Sequence, residues 1–198
     1  MAENAKNSFV HVNLNGPFLP KKTNLSDYTL VLDLDETLIH CLDQQEIMPL
    51  IRPGTEKFLE EMSKYYEIVI FTASVKDYAD TILNQLDPEK KYISYRLYRE
   101  HTTVLKRTYL KDISKLGRDL SKTIIVDNLP QSYKFQRENG ILINSFYGDN
   151  MNDRALYELK RILINIYREK KDVRNSINKY KEDIITNVTC IDKYVGEK

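Results

Sequence analysis

Tyr28-Thr29-Leu30-Val31-Leu32-Asp33-Leu34-Asp35-Glu36-Thr37 opens on a run that is apolar on both faces and closes on two aspartates two positions apart. A strand with one wet face alternates apolar and polar residues, so a run without alternation belongs in the middle of a parallel sheet, covered on both sides. Three further runs share this character: Glu67-Ile68-Val69-Ile70-Phe71-Thr72, Lys122-Thr123-Ile124-Ile125-Val126-Asp127 and Gly140-Ile141-Leu142-Ile143-Asn144. Each is too short and too β-branched for a helix. Between the first two, Pro53-Gly54-Thr55 precedes a segment from Glu56 to Tyr66 whose apolar Phe58, Leu59, Met62 and Tyr66 fall on one helical face. The same pattern predicts a helix over Val75 to Leu86, stopped by Asp87-Pro88, and a long one from about Asp153 to Tyr167. Strand, helix, strand, helix is the rhythm of an α/β fold, here a doubly wound, mainly parallel sheet with flanking helices.

Outside these elements the chain is plainer. Residues 1–27 are polar and Asn-rich, punctuated by Gly16-Pro17 and Pro20-Lys21-Lys22, and read as an irregular lead-in that Phe18 and Leu19 pin to the core. Residues 28–170 carry every motif and form the expected catalytic domain; residues 171–198 are polar and partly helical. A length of 198 residues with 41% apolar composition suits one domain with a sizeable core. Thirty Lys and Arg against 29 Asp and Glu leave a net charge of +1, so no global field holds the chain on nucleic acid or an anionic membrane. The basic positions Arg161, Arg168, Lys170, Lys171, Arg174, Lys179 and Lys181 are interleaved with Glu169, Asp172, Glu182 and Asp183 and lack an aromatic platform, which reads as a solvated helix face. No apolar stretch approaches the roughly 20 residues that span a bilayer, and no signal-peptide pattern is present. The expectation is a soluble, nuclear or cytoplasmic monomer. Cys41 and Cys190 are too few for a zinc site or a disulfide framework.

The chemistry lies in the carboxylates. Asp33 and Asp35 stand where a buried strand runs out, so both can point to one side at the carboxyl edge of the sheet, the edge at which open α/β sheets take their ligands. Like charges at one spot must share a proton or meet a cation; an Asx turn closing the strand is the plain structural alternative. With Mg²⁺ neutralising the pair, one carboxylate is placed to attack phosphorus and the other to carry the leaving-group proton. Thr72 ends the second strand and offers a hydroxyl and neighbouring N–H groups as a phosphate cradle, although a helix cap is the commoner use of such a threonine. Asp127-Asn128 end the third strand with a further carboxylate and an amide oxygen, the ligand type Mg²⁺ selects, against the alternative of a simple turn. His40 and His101 read as surface or capping residues, since a hard oxygen site needs neither.

Asp33-Leu34-Asp35-Glu36-Thr37-Leu38, Phe71-Thr72-Ala73-Ser74, Tyr109-Leu110-Lys111-Asp112, Leu116-Gly117-Arg118-Asp119-Leu120 and Val126-Asp127-Asn128-Leu129-Pro130 together resemble the haloacid dehalogenase superfamily. More closely, they look like its small C-terminal-domain phosphatases, the FCP1-homology or NLI-interacting factor-like branch. The resemblance runs from about Tyr28 to about Leu163, with all motifs in order. It implies a Rossmann-like haloacid dehalogenase fold without a large cap domain. The implied activity is Mg²⁺-dependent hydrolysis of phosphoserine or phosphothreonine in a phosphoprotein, with the C-terminal domain of RNA polymerase II as one such substrate. Carried over by position, Asp33 matches the nucleophile that becomes an aspartyl-phosphate, and Asp35 the general acid and base. Thr72 and Lys111 match the groups that hold the phosphoryl. Asp33, the Asp35 carbonyl and Asn128 match the Mg²⁺ ligands, and Asp127 the carboxylate that orients the lysine. Lys111 is chosen by resemblance alone, and Arg99 matches a position near the phosphopeptide. Tyr78, one helical turn beyond Thr72, reads as a packing residue.

Departures from the family pattern are also legible. Polymerase-directed members carry a β insertion after the first motif that builds an apolar pocket, whereas here only Cys41 to Leu50 fills that place, room for a loop or one hairpin. Cys41, Ile47, Met48 and Leu50 would form a different lip. Gly148-Asp149-Asn150-Met151-Asn152-Asp153 imitates the acidic metal motif of other branches; Asp127-Asn128 is the favoured site, with Asp149 or Asn150 read as the cap of the last helix. Two other functions fit the fold: a scaffold that lost its chemistry, for which a broken aspartate pair would be the mark, and a small-molecule phosphatase, for which a cap would be.

Overall fold

Every residue of Thr29–Leu32, Glu67–Phe71 and Thr123–Asp127 is buried, as strands covered on both faces must be. The structure, a computed structural model, describes residues 17–21, 27–42 and 48–190. Most of the lead-in, Ile47 of the expected lip and residues 191–198 therefore lie outside the described residues. In chain order the elements are β1 (Thr29–Leu32), β2 (Ile39–His40), β3 (Leu50–Ile51), α1 (Thr55–Met62), β4 (Glu67–Phe71), α2 (Lys76–Leu86), β5 (Ile93–Leu97), β6 (Thr103–Leu105), β7 (Thr108–Leu110), β8 (Thr123–Asp127), β9 (Gly140–Leu142), α3 (Ala155–Glu169), α4 (Val173–Lys179) and α5 (Lys181–Ile184).

Five strands form one parallel sheet in the order β5-β4-β1-β8-β9, with Leu32 opposite Ile70 on one side and Val126 on the other. The chain winds outward from β1 through β4 to β5, then returns to place β8 and β9 on the other side of β1. The direction of winding reverses between β1 and β8, and the crevice at their carboxyl ends is where such sheets take ligands. Alternation along the strands divides the core. Leu30, Leu32, Ile68, Ile70, Ile124 and Val126 pack in one cluster with the apolar faces of α1, α2 and α3. Val31, Val69, Phe71 and Ile125 pack in the other with Ile113 and Leu116 of a 3₁₀ turn. All three long helices thus share one cluster, and short turns cover the opposite side. Fully burying each of these aliphatic side chains contributes about 1.5–3 kcal/mol.

Leu19 is buried in that second cluster and the Phe18 N–H donates to Lys115 O at 2.7 Å, so the described part of the lead-in is tied down. At the other end Val173, Ile184 and Val188 enter the main core and Thr189 Oγ1 donates to Leu142 O at 2.6 Å, which builds this charged stretch into the domain. Three of the basic positions are paired within the chain: Arg161 with Asp183, Arg174 with Asp172, Lys179 with Glu169. Among the described residues, no helix is long and apolar enough to cross a membrane.

Two small antiparallel pairs stand off the sheet. β2 and β3 pair at the two ends of the Cys41 to Leu50 stretch, of which residues 43–47 lie outside the described residues. β6 and β7 make another, just before Lys111.

Candidate active site

The turn after β1 is fixed from within. The Asp33 N–H donates to Val126 O at 3.0 Å, continuing the ladder, while Leu34 and Leu38 are fully buried and pin the loop on both sides of Asp35. The N–H groups of Leu38 and Ile39 both return to Leu34 O. Glu36 completes the turn with φ 56°, a left-handed conformation that costs a non-glycine residue about 1–2 kcal/mol and is tolerated where the surroundings enforce it. Here the enforcement is two hydrogen bonds, Glu36 N–H to Ile39 O and Phe146 N–H to Glu36 O.

Asp33, Asp35, Thr72, Arg99, Lys111, Asp127 and Asn128 all line one cleft at the carboxyl ends of β1, β4 and β8. At its floor Lys111 Nζ donates to Asp33 Oδ1 at 2.5 Å and to Asp127 Oδ2 at 2.6 Å. The three side chains are 2%, 9% and 1% exposed. Two carboxylates around one ammonium leave a surplus negative charge in a place water barely reaches. Burial accordingly pushes the Asp33 carboxyl up to about 7, against the attraction of Lys111 and with Asp127 and Asp35 adding to the rise. Burial also opposes the Lys111 charge, but the two carboxylates outweigh it and hold the ammonium above its ordinary range. Asp127 is fixed on its other oxygen by the Leu129 N–H at 2.8 Å, and Asp33 Oδ2 accepts from Thr37 Oγ1 at 3.3 Å.

Asp35 is held from the opposite wall. Its Oδ2 accepts from Ser74 Oγ at 2.8 Å and from Thr72 Oγ1 at 3.3 Å, and its Oδ1 from the Tyr78 hydroxyl at 2.7 Å. Thr72 Oγ1 also accepts the Ser74 N–H at 3.0 Å, so the β4–α2 turn is locked by the same hydroxyl. Tyr78 is therefore more than a packing residue: its ring joins the main core and its hydroxyl reaches the cleft. Burial and the Asp35 carboxylate hold that phenol above its ordinary range, so it stays a donor. Ser74 lay inside a quoted motif, but nothing in the sequence separated its role from that of Thr72. The position of Tyr78 one helical turn beyond Thr72 points it toward the mouth, but spacing alone does not show that its hydroxyl reaches Asp35. Arg99 is exposed at the mouth, its Nε donating to Ala73 O at 2.6 Å and its guanidinium 5.0 Å from the Tyr109 ring.

Oxygen atoms of Asp33, the Asp35 backbone and Asn128 suit a hard divalent cation, which takes one or two carboxylates, neutral oxygens, water and substrate. Asn128 meets that requirement in its orientation: Nδ2 donates to Ser145 Oγ at 3.0 Å, which leaves Oδ1 for the cleft it lines. Among the described residues no three His, Cys, Asp or Glu side chains gather as a protein-only metal cage. The acidic stretch before α3 serves another purpose. Asp153 is bound at both oxygens by Arg52, each at 2.9 Å, and its Oδ1 accepts the Ala155 N–H. The N-cap position of α3 is Arg154, with no side-chain cap bond, and Asp153 just before it holds the first helical N–H; neither Asp149 nor Asn150 is the cap, and the Asn150 side chain accepts instead from the Asn152 N–H. His40 pairs with Glu36, and His101 Nδ1 accepts the Tyr98 N–H as part of a cap.

Comparison with known proteins gives this arrangement a context. Caenorhabditis elegans CTD small phosphatase-like protein 3 is 44% identical over 184 residues, covering 83% of this chain and 64% of that protein. Danio rerio CTD nuclear envelope phosphatase 1B is 35% identical, covering 79% of this chain and 73% of that one. The chain spans 64%, 30% and 56% of the first three curated relatives it matches, so those proteins have further parts. Among solved structures, the fission yeast RNA polymerase II CTD phosphatase Fcp1 bound to beryllium fluoride has the same fold, with a TM-score of 0.51 at 20% identity over 78% of this chain and 54% of that one. The family model of the NLI interacting factor-like phosphatases matches residues 28–174, from the strand that leads into Asp33 to the start of α4. By that match and the identity to its relatives, this chain belongs to the NLI interacting factor-like phosphatase family.

Proposed function

We propose that the protein is a Mg²⁺-dependent phosphatase that removes phosphate from serine or threonine of a phosphoprotein, with the phosphoryl group carried on Asp33. The observation that carries this reading is the buried Lys111 between Asp33 and Asp127, with Asp35 two residues beyond on its own set of hydroxyl donors. A site built only to stabilise the fold gains nothing from a second carboxylate at the mouth.

Asp33 attacks phosphorus, and the bond to the serine or threonine oxygen breaks. Asp35 gives that oxygen its proton. In the second half Asp35 takes a proton from water, whose oxygen attacks the same phosphorus, releasing phosphate and restoring the Asp33 carboxylate. Lys111 offsets charge on the transferring oxygens, and Asp127 keeps its ammonium in place. Thr72, Ser74 and Tyr78 hold the Asp35 carboxyl in one orientation. Mg²⁺ held by Asp33, the Asp35 carbonyl and Asn128 would neutralise the phosphoryl oxygens, the electrostatic help on which phosphoryl transfer chiefly depends. Arg99 stands at the mouth beside the incoming peptide.

Between Asp35 and the start of β4 the described residues form only the β2–β3 pair and α1, with no cap over the cleft. An open mouth suits a protein substrate over a metabolite. The RNA polymerase II C-terminal domain, named for the Fcp1 neighbour, is one substrate of this chemistry. The test is phosphate release from phosphoserine, phosphothreonine and phosphotyrosine peptides with and without Mg²⁺. Release from the first two that needs Mg²⁺ is expected. No release from any peptide or from an aryl phosphate would overturn the reading.

A further inference from the structure

The β6–β7 hairpin flanks the cleft. Tyr109 of β7 lines it, and the Arg99 guanidinium lies over the Tyr109 ring, fastening the hairpin to the mouth. Opposite Tyr109 on the same face stands Val104, 62% exposed, so the cleft-facing side of the hairpin is open to a bound chain. The turn between the strands is Lys106-Arg107, with φ 49° and 66°. Two consecutive left-handed residues make the tight turn that Asn-Gly forms with least strain. Here two exposed cations occupy it, and among the described residues no carboxylate pairs with either.

We propose that Lys106 and Arg107 form a charge-reading point that favours phosphosubstrates with acidic residues a few positions from the phosphorylated one. This rests on the phosphatase reading of the same cleft. The spacing follows from the backbone. Lys111 at the cleft floor is four residues after Arg107 along a strand, about 13 Å at a rise of about 3.3 Å per residue. An extended peptide whose phosphate reaches Lys111 covers that distance in about four residues. An acidic pair four positions from the phosphoserine then lies beside the two cations, while Arg99 and Tyr109 border the path between.

The experiment compares the full chain with Lys106→Gln/Arg107→Gln on phosphoserine peptides that carry Glu-Glu four positions before the phosphoserine, four positions after it, or Gln-Gln at both places. An aryl phosphate serves as the substrate without flanks. For wild type, one of the two Glu-Glu peptides is expected to exceed the Gln-Gln peptide in kcat/KM by about fivefold, chiefly through KM, as exposed charge pairs allow. The advantage should fade at about 1 M salt, where the screening length is about 3 Å. The variant should lose the advantage and cleave the Gln-Gln peptide and the aryl phosphate as wild type does. Equal rates on all three peptides by wild type, or an equal loss on every substrate in the variant, would overturn the proposal. Failure on the aryl phosphate by wild type would instead bring down the phosphatase reading, and this inference with it.

Discussion

Asp153→Asn is expected to weaken the fold while leaving the chemistry in place. Arg52 has no exposed side-chain surface, and two of its hydrogen bonds, each 2.9 Å long, go to Asp153. Its others go to Thr37 O at 3.1 Å and to Asn144 O and Oδ1 at 3.0 and 2.5 Å. Those neutral partners remain after the substitution, but the one carboxylate that pairs with the buried guanidinium among the described residues is gone, and two donors of the new amide compete for its place. Removing one partner of a buried pair costs about 3–5 kcal/mol. Against a typical total of about 5–15 kcal/mol this is a large share, and it corresponds to a fall in Tm of about 10 °C for a domain of this size. Urea and thermal unfolding measure the loss; phosphate release per folded molecule and its Mg²⁺ dependence should stay close to wild type. Replacing both partners, Arg52→Met with Asp153→Leu, should recover part of the stability because no buried charge is then stranded. Near-native stability of Asp153→Asn combined with a lost Mg²⁺ response would refute this reasoning and make the stretch before α3 the metal site.

Asn128→Ala is expected to give the opposite pattern: a lost Mg²⁺ response at a Tm near that of wild type, checked by Mg²⁺ titration of turnover beside thermal unfolding. Tyr78→Phe removes the donor to Asp35 Oδ1 while keeping the ring in the core, and should lower kcat about tenfold with little change in KM, since one hydrogen bond to a carboxylate is worth about 1.5 kcal/mol or more. An unchanged kcat would count against the positioning of Asp35. Asp80 titrates outside the cleft: burial would raise its carboxyl, but hydrogen bonds from Lys76, Arg96 and Tyr98 outweigh that and hold it down at about 2. Its folded value lies below the unfolded one of about 3.9, so its contribution to stability is present above about pH 4 and fades as pH falls toward 2. Urea midpoints measured across that window should fall less steeply in Asp80→Asn than in wild type; parallel curves would contradict the assignment.

Legibility followed burial. β1, β4 and β8 are buried on both faces, so their apolar runs could be read without knowing what covers them. β5 is at the sheet edge and keeps Ser94 and Arg96 among its residues, so its run breaks and no strand was read there. The β6–β7 hairpin escaped notice because Lys106-Arg107 carries none of the Asn-Gly signal of a tight turn. Within the cleft, Asp33, Asp35, Thr72, Asp127 and Asn128 could be placed because each follows directly on a readable strand. Lys111 follows a short hairpin strand, and only resemblance picked it out. Tyr78 and Ser74 act through the fold of the β4–α2 turn, a matter of angles that spacing alone does not carry. Arg52, 101 residues away in sequence, bonds both oxygens of Asp153, a contact that no local reading of Gly148–Asp153 can show.

The central claim is that phosphate passes through Asp33. It is tested most directly by acid quench of the enzyme during turnover of a phosphoserine peptide with Mg²⁺, borohydride reduction, and mass spectrometry of the peptide that spans residues 28–52. An acyl-phosphate at Asp33 is reduced there to the alcohol, and the account predicts that change at Asp33 alone, only when substrate and Mg²⁺ are both present. Phosphate trapped on a different side chain, or sustained turnover by Asp33→Asn, would contradict it.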